Sequence, residues 1–268
     1  MSWLDHGLPF GFAVFLWWFA TGAILWLDQR PRASHGWSLA GMSLLGLLGL
    51  VGVAGTAGSA DPLAAYLAFL SALAVWGWHE LAFLMGVLTG PVRGPCPPGA
   101  GHWTRFKGAL GAIAYHEAAL ALTLPLILGL TWGQPNQVGA GAFVILFVMR
   151  ISAKLNVFVG APNLTEEFIP AHLSYLKSYF GRSEFNPLLP VCVAVATIGA
   201  WRLGVGALSS GSSFEAVGYT LLLALLALAI LEHLFLVLPV QDQALWRWAL
   251  RSAREHSAKR LAAAGSID

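Results

Sequence analysis

Seven apolar segments, each about 20 residues long or longer, are the feature that most constrains how this 268-residue chain folds. A helix rises 1.5 Å per residue, so about 20 apolar residues cross the roughly 30 Å hydrocarbon core of a bilayer. Charged residues make up only 10% of the chain, against about 25% in an average soluble domain. We therefore expect an all-α polytopic membrane protein, a single domain (1–268) with a tail at 240–268. Its seven transmembrane helices are predicted at about 8–27, 37–58, 63–90, 109–131, 139–160, 187–209 and 216–239.

The uneven distribution of lysine and arginine predicts the orientation of these helices. The second, fourth and sixth loops contain neither residue. The C-terminal tail contains five, and the odd-numbered loops contain Arg30, Arg32, Arg93, Arg105, Lys107, Lys177 and Arg182. Under the positive-inside rule, the N-terminus is periplasmic and the C-terminus cytoplasmic. The net charge of +2 thus reflects topology, and it does not indicate a nucleic-acid partner.

Glycines recur at every third residue of the second predicted span. Small residues let two membrane helices approach closely. We therefore expect this face to pack directly on a neighbouring helix rather than to form a groove for a flat cofactor. The glycines are Gly46, Gly49, Gly52, Gly55 and Gly58.

Adjacent histidine and glutamate residues occur in three predicted spans, as His79–Glu80, His116–Glu117 and Glu232–His233. An ionisable residue in hydrocarbon costs roughly 2.5–3.5 kcal/mol on insertion scales, so it normally faces a partner, a cavity or a ligand. Counted along the spans, the three pairs agree in depth to roughly 6 Å, in the cytoplasmic half of the bilayer. Span five adds polar residues near that level, namely Arg150, Lys154 and Asn156. The sequence thus predicts one polar site in the core of the bundle, with the two cations either neutralising glutamates or reaching toward the inner headgroups.

The fifth predicted loop has the pattern of an amphipathic helix. Asn163 and Glu166 match a helix-capping signal, and residues 168–180 present a broad apolar face. This pattern predicts an interfacial helix, bent at Pro170, between spans five and six. The helix is either an ordinary connector or a cover over the polar site, and as a cover it would bring further ligands there from Glu166, Glu167 and His172.

Three interpretations of the polar site stay open. Imidazole and carboxylate groups from several helices are typical ligands of iron, manganese or zinc. Adjacent helix residues lie about 100° apart, however, so one member of each pair would bind metal while the other orients a neighbour. A single histidine could instead be the axial ligand of a chlorin or haem. The third interpretation is structural pairing, although interhelical hydrogen bonds in membranes average only about 0.6 kcal/mol.

Several segments resemble one known family. They are Trp-His-Glu at 78–80, Tyr-His-Glu at 115–117, the runs at 153–168 and 172–180, and Leu-Glu-His-Leu-Phe-Leu-Val-Leu-Pro at 231–239. Together they resemble the PuhE family of photosynthetic complex assembly proteins of phototrophic purple bacteria. The resemblance implies a multi-pass protein of the bacterial inner (intracytoplasmic) membrane. Such a protein would contact the bilayer and assist assembly of reaction-centre or light-harvesting subunits with their pigments.

The resemblance implies neither a reaction nor catalytic residues, so enzymatic activity stays open at this point. The alternative function is that of a membrane metalloenzyme, a di-iron-like oxidase or hydroxylase. Its substrate would be lipid-soluble, such as a pigment, a carotenoid or a quinone. The residues predicted to bind metal in that case are His79, Glu80, His116, Glu117, Glu232 and His233.

Overall fold

The computed structural model of this protein describes residues 2–163, 169–181, 183, 185–238 and 242–249, and every regular element in these ranges is helical. Seven helices within these ranges are long and apolar enough to cross a membrane. They are α1 (Leu8–Asp28), α2 (Arg32–Thr56), α3 (Pro62–Leu84), α4 (His102–Leu130), α5 (Val138–Val159), α6 (Leu188–Ser209) and α7 (Ser213–Phe235). The prediction of an all-α fold with seven helices that could span a membrane is therefore confirmed for the described residues.

Local sequence signals explain where two central helices begin. The Asp61 carboxylate accepts a hydrogen bond from the Ala64 amide at 3.0 Å, and a proline follows at the first helical position of α3. The Ser212 hydroxyl accepts one from the Glu215 amide at 3.3 Å at the start of α7. Both arrangements satisfy amides that have no partner within the helix.

Helices α3, α5 and α7 form the centre of the bundle. Their contact is built largely from small side chains, among them Ala68, Ala72, Ala142 and Ala224, with Phe69 filling the space between them. Small residues allow the close backbone approach on which packing in lipid depends. Helix α2 lies outside α3, and α6 lies outside α7. The central helices are therefore the ones that can hold a site away from lipid.

The glycines of α2 pack as the sequence predicts over the first part of their row. Gly46, Gly49 and Gly52 face α3, where a Cβ atom at Gly49 would lie 2.6 Å from the Ser71 carbonyl oxygen. At Gly55, by contrast, a Cβ would have no described atom within 4 Å. Only the first three glycines therefore require a close approach to α3.

Helix α3 ends at Leu84, whereas the predicted span runs to residue 90. Residues 85–92 instead lie along α4, where the His116 amide donates to the Thr89 carbonyl at 3.0 Å. The Val92 amide likewise donates to the Gly111 carbonyl at 3.3 Å. Hydropathy does not detect this change, because the non-helical segment is itself apolar and satisfies its polar groups against α4. Helix α4 also begins at His102, before the predicted start at 109.

The fifth loop contains a 3₁₀ helix, Ala171–Tyr179, directly after Pro170. Its buried residues Leu173, Leu176 and Tyr179 are spaced by three, which places them on one face of a 3₁₀ helix. That face packs against Phe83 of α3 and Ala112 of α4. The predicted helical connector is thus present, but as a 3₁₀ helix. The predicted cap cannot be compared, because Glu166 lies outside the described residues.

Candidate intramembrane site

Two ion pairs join α5 to its neighbours. Arg150 Nη2 lies 2.6 Å from Glu80 Oε2 of α3. Lys154 Nζ pairs with Glu117 Oε1 of α4. The two cations are four residues apart on one face of α5, so a single helix face holds both neighbouring helices. Of the two roles predicted for these cations, the structure shows the pairing with glutamates.

The Arg150–Glu80 pair lies at the edge of the bundle. The Arg150 side chain is 39% exposed and that of Glu80 only 11%. Arg150 Nε and Glu80 Oε1 are nevertheless buried, and neither atom has a hydrogen-bond partner among the described residues. The pair therefore holds one donor and one acceptor inside the bundle that no described residue uses.

His79 is held through one ring nitrogen. Its Nε2 lies 3.1 Å from the Thr123 hydroxyl oxygen, and that hydroxyl donates to the Ala119 carbonyl at 2.9 Å. Because the single hydroxyl hydrogen is used in this way, His79 Nε2 carries the proton and donates. His79 Nδ1 then keeps a lone pair, which is buried and has no partner in the described part of the chain.

His116 is fully buried, and neither of its ring nitrogens has a described hydrogen-bond partner. The imidazole lies against Phe83, with the ring centroids 4.7 Å apart. Its backbone amide is bonded to Thr89, so residues 85–92 fix the position of the residue. Leaving a buried polar group unpaired costs about 1–3 kcal/mol. His116 is therefore a poor structural residue and the strongest candidate to bind something else.

His233 is fully hydrogen-bonded. Its Nδ1 lies 2.8 Å from the Ala229 carbonyl, which can only accept, so Nδ1 donates. Its Nε2 then accepts from the Ser152 hydroxyl at 2.9 Å. This arrangement connects α5 to α7 and uses both ring nitrogens of a residue that the sequence predicts as a metal ligand.

Glu232 points away from its neighbour His233 and accepts a hydrogen bond from Trp17 Nε1 of α1 at 2.9 Å. Adjacent helix residues diverge by about 100°, so the two side chains serve different helix contacts. Glu232 is still close enough to Arg150 for their charges to interact. Helix α1 therefore contributes Trp17 to one side of the site.

The additional predicted residues have separate positions. Buried Asn156 accepts a hydrogen bond from Asn186 Nδ2 at 3.0 Å and thereby ties the end of α5 to the start of α6. The His172 ring lies beside Gly86, which has a positive φ of 75°, and a Cβ at Gly86 would lie 3.1 Å from the ring. His172 therefore lies at the end of α3. Glu166 and Glu167 are outside the described residues.

A metal ion does not fit these side chains as they stand. Within the described ranges, no three His, Cys, Asp or Glu side chains are placed to hold one ion. Glu80 and Glu117 are bonded to cations, and His233 uses both nitrogens. The lone pairs of His79 and His116 are the available ligands, so a metal would require one of the glutamates to leave its cation. Metal binding stays a prediction.

Sequence reasoning missed several residues that shape the site. Thr123 hydrogen-bonds to His79, and Ser152 hydrogen-bonds to His233. Each is a hydroxyl residue within an apolar span, which is a signal that the sequence offers. Phe83 and Trp17 carry no comparable signal. Their roles depend on how the helices are rotated about their axes, which hydropathy does not determine.

The fold and the site define a polytopic α-helical membrane protein with an ion-paired cluster inside its bundle. Residues 3–257 match the model of a family described as "Protein of unknown function (DUF3623)", and the chain belongs to that family. It is also 42% identical, over 248 residues and 90% of both chains, to a Rhodobacter capsulatus protein. That relative is named "Uncharacterized 30.4 kDa protein in puhA 5'region". No solved structure matches the chain significantly.

Proposed function

We propose that this protein is an inner-membrane factor that assists the assembly of photosynthetic reaction-centre or light-harvesting complexes. The Rhodobacter capsulatus relative carries this proposal, because its name places it beside puhA, in a photosynthesis gene region. Identity of 42% over nine-tenths of both chains supports a shared role. The resemblance to the PuhE family at 78–80, 115–117 and 153–180 points the same way. The partners would be subunits and pigments that approach through the bilayer.

Deletion of the gene in a phototrophic host tests this proposal. An assembly factor is required in small amounts and is missing from the finished complex. Deletion should therefore lower reaction-centre or core-antenna absorption while the extracted pigments keep their normal chemistry. Normal complexes in the deletion strain under phototrophic growth would refute the proposal.

We further propose that the N-terminus is periplasmic and the C-terminus cytoplasmic. The charge distribution supports this orientation. The third and fifth loops meet at one end of the bundle, where the Cys96 amide donates to Ser178 Oγ at 2.8 Å, so the two loops share one side. At the opposite end Asn136, after α4, bonds the carbonyls of Thr56 and Ala64. Reporter fusions should place residues 95–105, 170–185 and the C-terminus in the cytoplasm and 132–137 in the periplasm. A periplasmic C-terminus would contradict the proposal.

A second candidate function is a membrane metalloenzyme acting on a pigment, carotenoid or quinone. The unpaired nitrogens of His79 and His116 favour it, since both are lone pairs buried at the polar site. These two residues, with Glu80 or Glu117, would hold iron, manganese or zinc. The absorption spectrum of the same preparation would show whether a chlorin or haem is bound instead.

Metal analysis of purified protein, together with pigment extraction, separates the two functions. The metalloenzyme requires stoichiometric metal in the wild type, its loss in His116→Ala, and a new precursor in the deletion strain. The assembly factor requires none of these. Carefully prepared wild-type protein without metal would exclude the metalloenzyme and leave the assembly proposal intact.

A further inference from the structure

An open cavity of about 350 Å³ lies at the start of α4, away from the intramembrane site. Its walls are His102, Trp103 and Phe106 of α4 and Phe158 near the end of α5. The Trp103 and Phe106 rings are stacked with centroids 5.5 Å apart, and the Phe158 ring meets Phe106 edge-on at 5.4 Å. This volume lies in the range of about 300–1,000 Å³ that is typical of ligand pockets.

Two positive charges border the aromatic walls. The Arg105 guanidinium lies 4.4 Å from the centroid of Phe158, and its Nη2 donates to the Phe158 carbonyl at 2.8 Å. Lys107 Nζ lies 5.3 Å from the centroid of Trp103. None of the four lining residues is acidic, and neither cation belongs to an ion pair among the described residues. The border of the cavity is therefore positively charged.

The length of α4 places this cavity at the membrane surface. Helix α4 has 29 residues, which at 1.5 Å each is about 44 Å, well beyond the roughly 30 Å hydrocarbon core. Its first two turns carry the charged residues, whereas the following turns are apolar up to the His116–Glu117 pair. The first turns thus lie at headgroup depth, where aromatic rings are favoured. At this depth the cavity faces lipid headgroups.

We propose that this cavity binds one anionic phospholipid. The aromatic walls provide an apolar surface for its glycerol and upper acyl region, while Arg105 and Lys107 attract its negatively charged headgroup. A zwitterionic lipid fits the same walls but gains less from the two cations. Because the site contacts both α4 and the end of α5, the bound lipid would also support the two helices that carry Glu117 and Lys154. This inference is independent of the proposed assembly function.

Native mass spectrometry of the full-length protein tests the proposal, with phosphatidylglycerol and phosphatidylcholine as probes. Wild-type protein should retain one phosphatidylglycerol at least tenfold better than phosphatidylcholine. Trp103→Ala and Lys107→Gln should each reduce that retention about tenfold. Trp103→Phe keeps an aromatic wall and should therefore keep most of the phosphatidylglycerol retention of the wild type.

Matched controls come from the same end of the bundle. Arg30 lies over Trp26 at 4.7 Å in an arrangement like that of Lys107, but outside the cavity. Trp37 is exposed as Trp103 is, at 83% against 65%. Arg30→Gln and Trp37→Ala should leave retention unchanged. Equal retention of both lipids by the wild type, or equal losses in the control variants, would overturn the proposal. A melting temperature measured for each variant separates lost binding from lost folding.

Discussion

The contact between α5 and α7 and the contact between α3 and α4 both contain a buried histidine from a His–Glu pair, but they treat it differently. His233, at the first contact, donates to Ala229 and accepts from Ser152. His116, at the second, has no described partner for either nitrogen. The sequence does not distinguish His116 from His233, because each belongs to a His–Glu pair in an apolar span. The structure separates a histidine that supports the bundle from one whose hydrogen-bonding capacity is unused.

The two contacts differ in what their histidines do for the stability of the bundle. A satisfied polar group between membrane helices contributes modest stability, whereas an unpaired one reduces it. His116 therefore costs stability that a leucine at the same place would not. The two cations of α5 next to it, Arg150 and Lys154, are each paired with a glutamate. The α3–α4–α5 contact is thus the functional candidate, and the α5–α7 contact is its support.

Breaking one ion pair should have the largest effect. Arg150→Ala leaves Glu80 without its cation in a largely buried position, and removing one partner of a buried pair costs about 3–5 kcal/mol. Thermal unfolding in detergent should show a large loss of stability. The double variant Glu80→Gln with Arg150→Gln should recover much of that loss, because Glu80 is then neutral and needs no cation. An Arg150→Ala variant as stable as wild type would show that the pair has no structural role.

His233 should contribute less than the ion pair. His233→Leu removes two hydrogen bonds and leaves the Ser152 hydroxyl without this partner, for a cost of about 1–3 kcal/mol. Ser152→Ala should cost less, and the double variant should be no worse than His233→Leu alone, since both remove the same bond. Additive losses would mean that this hydrogen bond does not hold the α5–α7 contact.

The fold was largely predictable from the sequence, and the site only in part. Seven apolar runs predicted the seven helices, and counting residues along them placed Glu80, His116 and His233 near one level. The side of the helix on which each residue lies was not predictable. Glu117 turns to Lys154 and Glu232 to Trp17, and these directions depend on the rotation of each helix about its axis, which hydropathy does not determine. The non-helical segment 85–92 was not predicted, because its residues are as apolar as those of a membrane-spanning helix.

Replacing His116 should cost little or no stability. His116→Leu removes no described hydrogen bond and replaces an unpaired polar group by an apolar one. We expect its stability to change by less than about 1 kcal/mol, or to rise. Complementation of the deletion strain by this variant should nevertheless fail if the site is functional. A variant that is as destabilised as His233→Leu would remove the distinction between the two contacts.

The smallest expected effect is a pH dependence of the 3₁₀ helix Ala171–Tyr179. Burial holds the pKa of His172 below its usual value of about 6.5, with the positive charges of Arg32 and His35 acting in the same direction and the Leu84 backbone opposing them. His172 therefore binds a proton at a higher pH when the 3₁₀ helix is detached than when this helix is packed. Its packing should be most stable above about pH 6.5 and should weaken as the pH falls below that value. Amide hydrogen exchange of residues 171–179, corrected for the intrinsic rate, should be a few-fold faster at pH 5.5 than at 7.5. His172→Gln should abolish this difference, and an equal response in that variant would assign the effect to another group.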